Sequence, residues 1–295
     1  MFFPKDKFSE EGPKWEKLDA YDLVLTKNLK NISEKYYSDA LGSVVNILKV
    51  KGLEINSSNF LVEGSVGKII LKLVNENTFL QFKSEDQIYS YLDKLDIPLP
   101  RILGGANRDI NFDYAHIALE YMDGKYFSGS NSELSIAATS INKLHTEIQK
   151  FELSYFSELP MLSNNSKTVF NDFIEIKDRW ETLFDHETLN LLKKNINLIK
   201  IVINFCEENI KKLTIIDKSA FHIDLHPHNI IVQSKEAVII DMDSIKISRW
   251  PIALGFTFYK LTRHALTENS VTDDDLNFFY EQLTSSYISN KNKDD

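Results

Sequence analysis

His222-Ile-Asp-Leu-His-Pro-His-Asn229, followed by Ile239-Ile-Asp241-Met-Asp243, decides how this chain is read. His222, Asp224 and Asn229 stand in an H-x-D-x-x-x-x-N spacing. Between the two motifs, Asn229-Ile-Ile-Val-Gln233 predicts a strand, Ser234-Lys-Glu a turn and Ala237-Val-Ile-Ile240 the partner strand. A tight hairpin of this kind returns Asp241 to Asn229, so an amide oxygen and a carboxylate converge at its base.

The residue types fit phosphoryl transfer. That reaction needs an aligned hydroxyl, a neutralised triphosphate and a metal bridge, and little covalent help from the protein. Mg²⁺ favours hard oxygen ligands, which Asn229 and Asp241 supply, with Asp243 a further candidate. Asp224 is the candidate base. His222, His226 and His228 also have a spacing seen in zinc sites, but Pro227 and the phosphoryl-transfer frame account for them better.

The stretch resembles the aminoglycoside phosphotransferase and choline kinase family of small-molecule kinases. The family pattern H-G-D-L-H-P-x-N-I stands here as His222-Ile-Asp-Leu-His-Pro-His-Asn-Ile230, and I-D-W/F-D/E as Ile240-Asp-Met-Asp243. Ile223 replaces the usual Gly, and is not the Arg common in protein kinases. Met242-Asp243 replaces their Phe-Gly. The resemblance covers about residues 55–265. It implies an α+β, two-lobed, protein-kinase-like fold, with a small antiparallel-sheet N-lobe and a larger, mainly helical C-lobe. The expected division is 1–121, with a helical extension over about 1–50, and 122–295. In this frame Asp224 is catalytic and His222 orients its loop.

The upstream half is read on the same plan. Ser58 to Val62, Glu63-Gly-Ser-Val-Gly67 and Lys68 to Val74 predict strand, glycine turn, strand. Gly64, Ser65 and Gly67 are therefore candidates to cover the nucleotide phosphates. Lys72 alternates with Leu71 and Leu73, and the resemblance gives it the α- and β-phosphates and a helix Glu as partner. Glu85, on a helix expected over 84–92 with Ser84 as cap, is that candidate, with Glu76 and Asp86 as competitors. Tyr114 to Gly124 predicts a strand ending at a hinge, where backbone groups of Glu120 to Met122 would meet the purine edge. His145, in a helix ending Lys143-Leu-His, reads as structural.

One departure stands out. Relatives usually carry an acid a few residues beyond the metal Asp that braces the catalytic loop. Here Ser248-Arg-Trp-Pro-Ile-Ala-Leu-Gly-Phe256 has none, so a backbone carbonyl or a hydroxyl is expected instead.

Composition sets the remaining bounds. The 295 residues are 43% hydrophobic and 26% charged, which suits a folded domain with a sizeable core. A single cysteine, Cys206, rules out an internal disulfide and fits a reducing cytoplasm. No stretch is long and apolar enough to span a bilayer, so no membrane is expected. The net charge of −9 argues against nucleic acid and is compatible with a cationic acceptor. Apolar spacing predicts two long helices over 167–213. The whole predicts Mg²⁺-dependent transfer from ATP or GTP to a small-molecule hydroxyl, with aminoglycoside, choline-like amine, sugar and amino-acid acceptors all open. A non-catalytic nucleotide-binding module is the alternative. A protein kinase would carry a closing Ala-Pro-Glu-like motif, and none is present.

Overall fold

The computed structural model describes residues 15–18, 22–50, 59–74, 92, 94, 97–104, 107–108, 115–158, 180–213, 215–268 and 271–289. Its first part is a six-stranded antiparallel sheet. The strands are β1 (Trp15–Lys17), β2 (Val44–Val50), β3 (Asn59–Gly64), β4 (Lys68–Val74), β5 (Asn107–Arg108) and β6 (Ala115–Glu120), in the spatial order β1-β2-β3-β4-β6-β5. Helices α1 (Leu23–Tyr36) and α2 (Ser38–Leu41) lie between β1 and β2. Asp22 caps α1 by accepting a 2.8 Å bond from the Leu25 N–H.

The helical extension expected over about 1–50 is present in α1 and α2, but the same stretch also gives β1 and β2 to the sheet. Val44 and Ile47 are buried while Val45 is exposed, so β2 covers the core with one face. Leu29, Leu41, Ile47, Val62, Ile69, Leu71 and Ala118 form that core.

The second part is larger and mainly helical. It contains β7 (Lys125–Tyr126), α3 (Asn131–Ile148), α4 (Trp180–Leu183), α5 (His186–Leu213), β8 (Ser219–His222), β9 (Ile230–Val232), β10 (Ala237–Ile239), β11 (Ile245–Ser248), α6 (Trp250–Glu268) and α7 (Asp273–Ser289). Of the two long helices expected over 167–213, the described residues form one, α5, preceded by the single turn of α4. Strands β10, β9 and β7 form one small sheet, and β11 pairs with β8 in another. Ile141, Leu144, Leu225, Ile230, Ile239, Met242, Leu261 and Phe279 pack into a core beneath both. Each such side chain contributes about 1.5–3 kcal/mol on burial. The hairpin that carries the motifs is therefore set on rigid packing. No helix among the described residues is long and apolar enough to cross a membrane.

Candidate active site

The site is organised by the β9–β10 hairpin. Ile239 pairs with Ile230, Val238 with Ile231 and Ala237 with Val232, as the alternation predicts. Beyond the ladder, the Ile240 N–H donates to the Asn229 carbonyl at 3.0 Å, so Asp241 follows directly from a residue tied to Asn229. The Asn229 side chain is nearly buried, and its Nδ2 donates to the Asp224 carbonyl at 2.8 Å. That bond fixes the amide plane and leaves Oδ1 as the atom available to a cation. Asp224, Asn229 and Asp241 are thereby joined through two hydrogen bonds.

Asp241 has φ 65° and ψ 49°, and is the one non-glycine residue at positive φ among the described residues. This left-handed conformation costs about 1–2 kcal/mol for most side chains and is one Asp tolerates. It turns the carboxylate towards the first sheet. Lys72 Nζ lies 2.9 Å from Asp241 Oδ1, and Ser244 Oγ donates to Oδ2 at 3.3 Å. Ser244 was not a candidate from sequence, although a hydroxyl three residues after a key Asp is a recognisable local pairing.

His222 is fully buried. Its Nε2 donates to the Ile240 carbonyl at 3.0 Å, which ties β8 to the residue before Asp241. Its backbone N–H donates to His145 Nε2 at 3.2 Å, so the proton of His145 resides on Nδ1, 3.1 Å from Tyr287 Oη. Burial lowers the pKa of both imidazoles, that of His145 to about 3 with the neighbouring His222 as second cause. Burial thus keeps both rings neutral near pH 7.

The missing acidic brace has a backbone replacement. Strand β11 pairs with β8, with Ile245 opposite His222, and the Ile223 N–H donates to the Ser244 carbonyl at 3.1 Å. The end of β8 and the start of the loop after it are thus held by a carbonyl and by His145.

The glycine turn requires a correction. Gly64, Ser65 and Gly67 were candidates to cover phosphates, but they lie at the hinge end of the sheet: Lys68 pairs with Glu63 and Ile69 with Glu120. The amides of Gly64, Ser65 and Val66 are already used. The Ser65 N–H donates to the Ser43 carbonyl, the Val66 N–H to Leu41 and the Gly64 N–H to Gly67. A Cβ at Gly64 would stand 2.0 Å from the Leu41 carbonyl oxygen, and one at Gly67 2.7 Å from that of Ala40. These glycines serve the packing of α2. Lys72 pairs with Asn59 at the other end of the sheet, where β2 and β3 are joined through 51–58, outside the described residues.

At the end of β6, the Glu120 N–H donates to the Arg101 carbonyl at 2.8 Å, and Met122 follows two residues on. Glu85 and its competitors Glu76 and Asp86 lie outside the described residues, as does the side chain of Asp243. Of the aromatic rings that could meet an acceptor, Trp180 is buried, Trp250 stacks on Tyr287 and Phe258 on Phe279. Tyr126 sits edge-on to His228, with burial pushing its pKa up to about 12. No group of three or more His, Cys, Asp or Glu side chains is placed to hold a metal among the described residues. His222 Nε2 is committed to the Ile240 carbonyl and His226 Nδ1 to the His228 N–H.

This architecture is a kinase-like fold, and the comparisons agree. The model of the phosphotransferase enzyme family matches residues 49–248, 200 of the 295 in the chain. The chain belongs to that family. Its structure is similar to an aminoglycoside phosphotransferase from Alicyclobacillus acidocaldarius (TM-score 0.63, 12% identity, covering 85% of this chain and 76% of that one). It is also similar to a spectinomycin phosphotransferase in complex with ADP and spectinomycin (TM-score 0.59, 12% identity, 87% and 83%). A third is the GDP and kanamycin complex of APH(2")-IIia (TM-score 0.53, 12% identity, 87% and 86%). No curated protein matches the sequence.

Proposed function

We propose that the protein is a small-molecule kinase, moving the γ-phosphoryl group of ATP or GTP to a hydroxyl of a small acceptor. The observation that carries this reading is the linkage of Asp224, Asn229, Asp241 and Lys72 across two sheets. Residues 1–121 form the nucleotide lobe, and 122–295 carry the catalytic loop and the acceptor side.

The donor set suits Mg²⁺: an amide oxygen at Asn229 and a carboxylate at Asp241, with room for phosphate oxygens and water. Bound there, the ion neutralises charge on the β- and γ-phosphates. Asp243 is the remaining candidate ligand. Lys72 brings an ammonium to the phosphates, with Glu85 its proposed helix partner. The carbonyl of Glu120 and the backbone of Met122 face the purine edge. The acceptor hydroxyl aligns on Asp224, which takes its proton. The acceptor oxygen then bonds to the γ-phosphorus, the bond from that phosphorus to the β–γ bridging oxygen breaks, and nucleoside diphosphate leaves. His222 keeps the loop in register through Ile240.

Solved relatives hold ADP in one case and GDP in another, which supports keeping both donors. The aminoglycosides named with them favour an amino sugar as the first acceptor class to test. The experiment is a nucleotide-consumption screen with Mg²⁺, ATP and GTP against amino sugars, choline-like amines, sugars and hydroxy amino acids. Acceptor-dependent turnover is expected. Nucleotide binding without turnover on any acceptor would favour a non-catalytic module.

A further inference from the structure

We infer that His226 is a positioning residue that holds the carboxylate of Asp224 through its Nε2–H, an inference that rests on the proposed role of Asp224. His226 caps the single 3-10 turn Pro227–Asn229, and its Nδ1 accepts from the His228 N–H at 3.3 Å. A backbone N–H only donates, so Nδ1 is unprotonated and the neutral ring carries its proton on Nε2. That nitrogen lies 3.8 Å from Asp224 Oδ2. Catalytic hydrogen bonds are often long before substrate binds and tighten afterwards.

The ring is constrained by its neighbour. His228 meets it edge-on at 5.5 Å, and His228 is itself edge-on to Tyr126. The backbone is constrained too, since the Asn229 N–H donates to the His226 carbonyl at 2.9 Å and Pro227 fixes the next φ. Asp224 stands at a half-exposed position with side-chain freedom to lose. A donor on Oδ2 would leave Oδ1 as the oxygen that accepts the hydroxyl proton, in a fixed direction. This is the orienting logic of a catalytic dyad, with the imidazole supporting the carboxylate.

Two substitutions separate this role from capping. Asn at 226 keeps an acceptor where Nδ1 stands and is a good cap, but does not reach Asp224. Gln at 226 places its amide donor where Nε2 stands and caps poorly. The test is kcat and KM for the full-length chain with each variant, and ¹⁵N spectroscopy of the imidazoles in wild type and Asp224→Asn. Positioning predicts an Nε2–H tautomer for His226 and a ring signal that moves in Asp224→Asn. It also predicts that kcat falls on the order of tenfold to a hundredfold in His226→Asn with acceptor KM and nucleotide affinity kept, and recovers in His226→Gln. An Nδ1–H tautomer, an unmoved ring signal, or His226→Asn at wild-type kcat would overturn it. A wild type that transfers to no acceptor would count against the kinase reading, while the ring spectrum still decides the contact.

Discussion

Lys72 Nζ lies 2.9 Å from Asp241 Oδ1, joining β4 of the first sheet to the base of the β9–β10 hairpin. The lysine side chain is nine-tenths buried and the aspartate two-thirds buried, so the pair is only partly screened. The ammonium sits on an oxygen that a divalent cation would also use. Lys72→Met should therefore act in opposite directions on two ligands. Mg²⁺ or Mn²⁺ alone should bind more tightly, by up to about tenfold, because no cation competes. The triphosphate should bind more weakly, and turnover should fall by at least about a hundredfold. Calorimetric titration of wild type and variant with metal and with nucleotide checks both signs.

Gly64→Ala tests what the glycine turn is for. The added methyl would collide with the Leu41 carbonyl, which belongs to the backbone of α2 and cannot turn aside. Stability should fall by about 1–3 kcal/mol, read from the urea midpoint. Nucleotide affinity, measured where the variant is still folded, should stay within about twofold. A large loss of affinity at unchanged stability would restore the turn as a phosphate cover.

The buried imidazoles predict an acid-side loss of stability. His145 titrates near 3 when folded against 6.5 when free, so between those values the unfolded chain binds the extra proton. Stability is then fully present above about 6.5 and falls as pH drops, by about 1.4 kcal/mol per pH unit for each such proton. His222, also lowered by burial, adds in the same direction. Glu63, Asp185 and Asp275 are pushed below their ordinary values and change charge at lower pH. His145→Gln should reduce the slope of unfolding free energy against pH between pH 6.5 and 5.

Asn229→Asp keeps an oxygen for a cation but replaces the donor facing the Asp224 carbonyl with an acceptor. The lost bond and the facing lone pairs should destabilise the loop by about 1–3 kcal/mol. Turnover should fall more than metal affinity does, which steady-state kinetics across a metal titration would separate.

Much of the candidate site could be read from residues that are local in sequence. The hairpin between Asn229 and Asp241 has alternating apolar strands and a polar turn, and its register follows from that pattern. Position 64–67 shows where such reading fails. Two successive strand connections, 51–58 and 64–67, each contain glycine, and only the register of Lys72 opposite Asn59 says which end of the sheet holds the site. Strand β2 was hidden because Val44-Val-Asn-Ile-Leu-Lys-Val50 breaks strict alternation, with a bulge between Val44 and Asn46, and follows a helical segment. The Lys72–Asp241 contact spans the two sheets and leaves no trace in spacing, and the same is true of the Ser244 carbonyl that braces Ile223. His226 was visible as part of the motif, but its two ring nitrogens acquire separate jobs only once the turn after it is folded.

The central claim is that Asp224 takes the acceptor's proton while other residues hold the nucleotide. Its most direct test is acceptor-dependent phosphate transfer by wild type and Asp224→Asn, with nucleotide affinity measured on the same samples. The account predicts a fall in kcat on the order of 10²–10⁴ with nucleotide affinity within about threefold of wild type. Undiminished transfer by Asp224→Asn would contradict it.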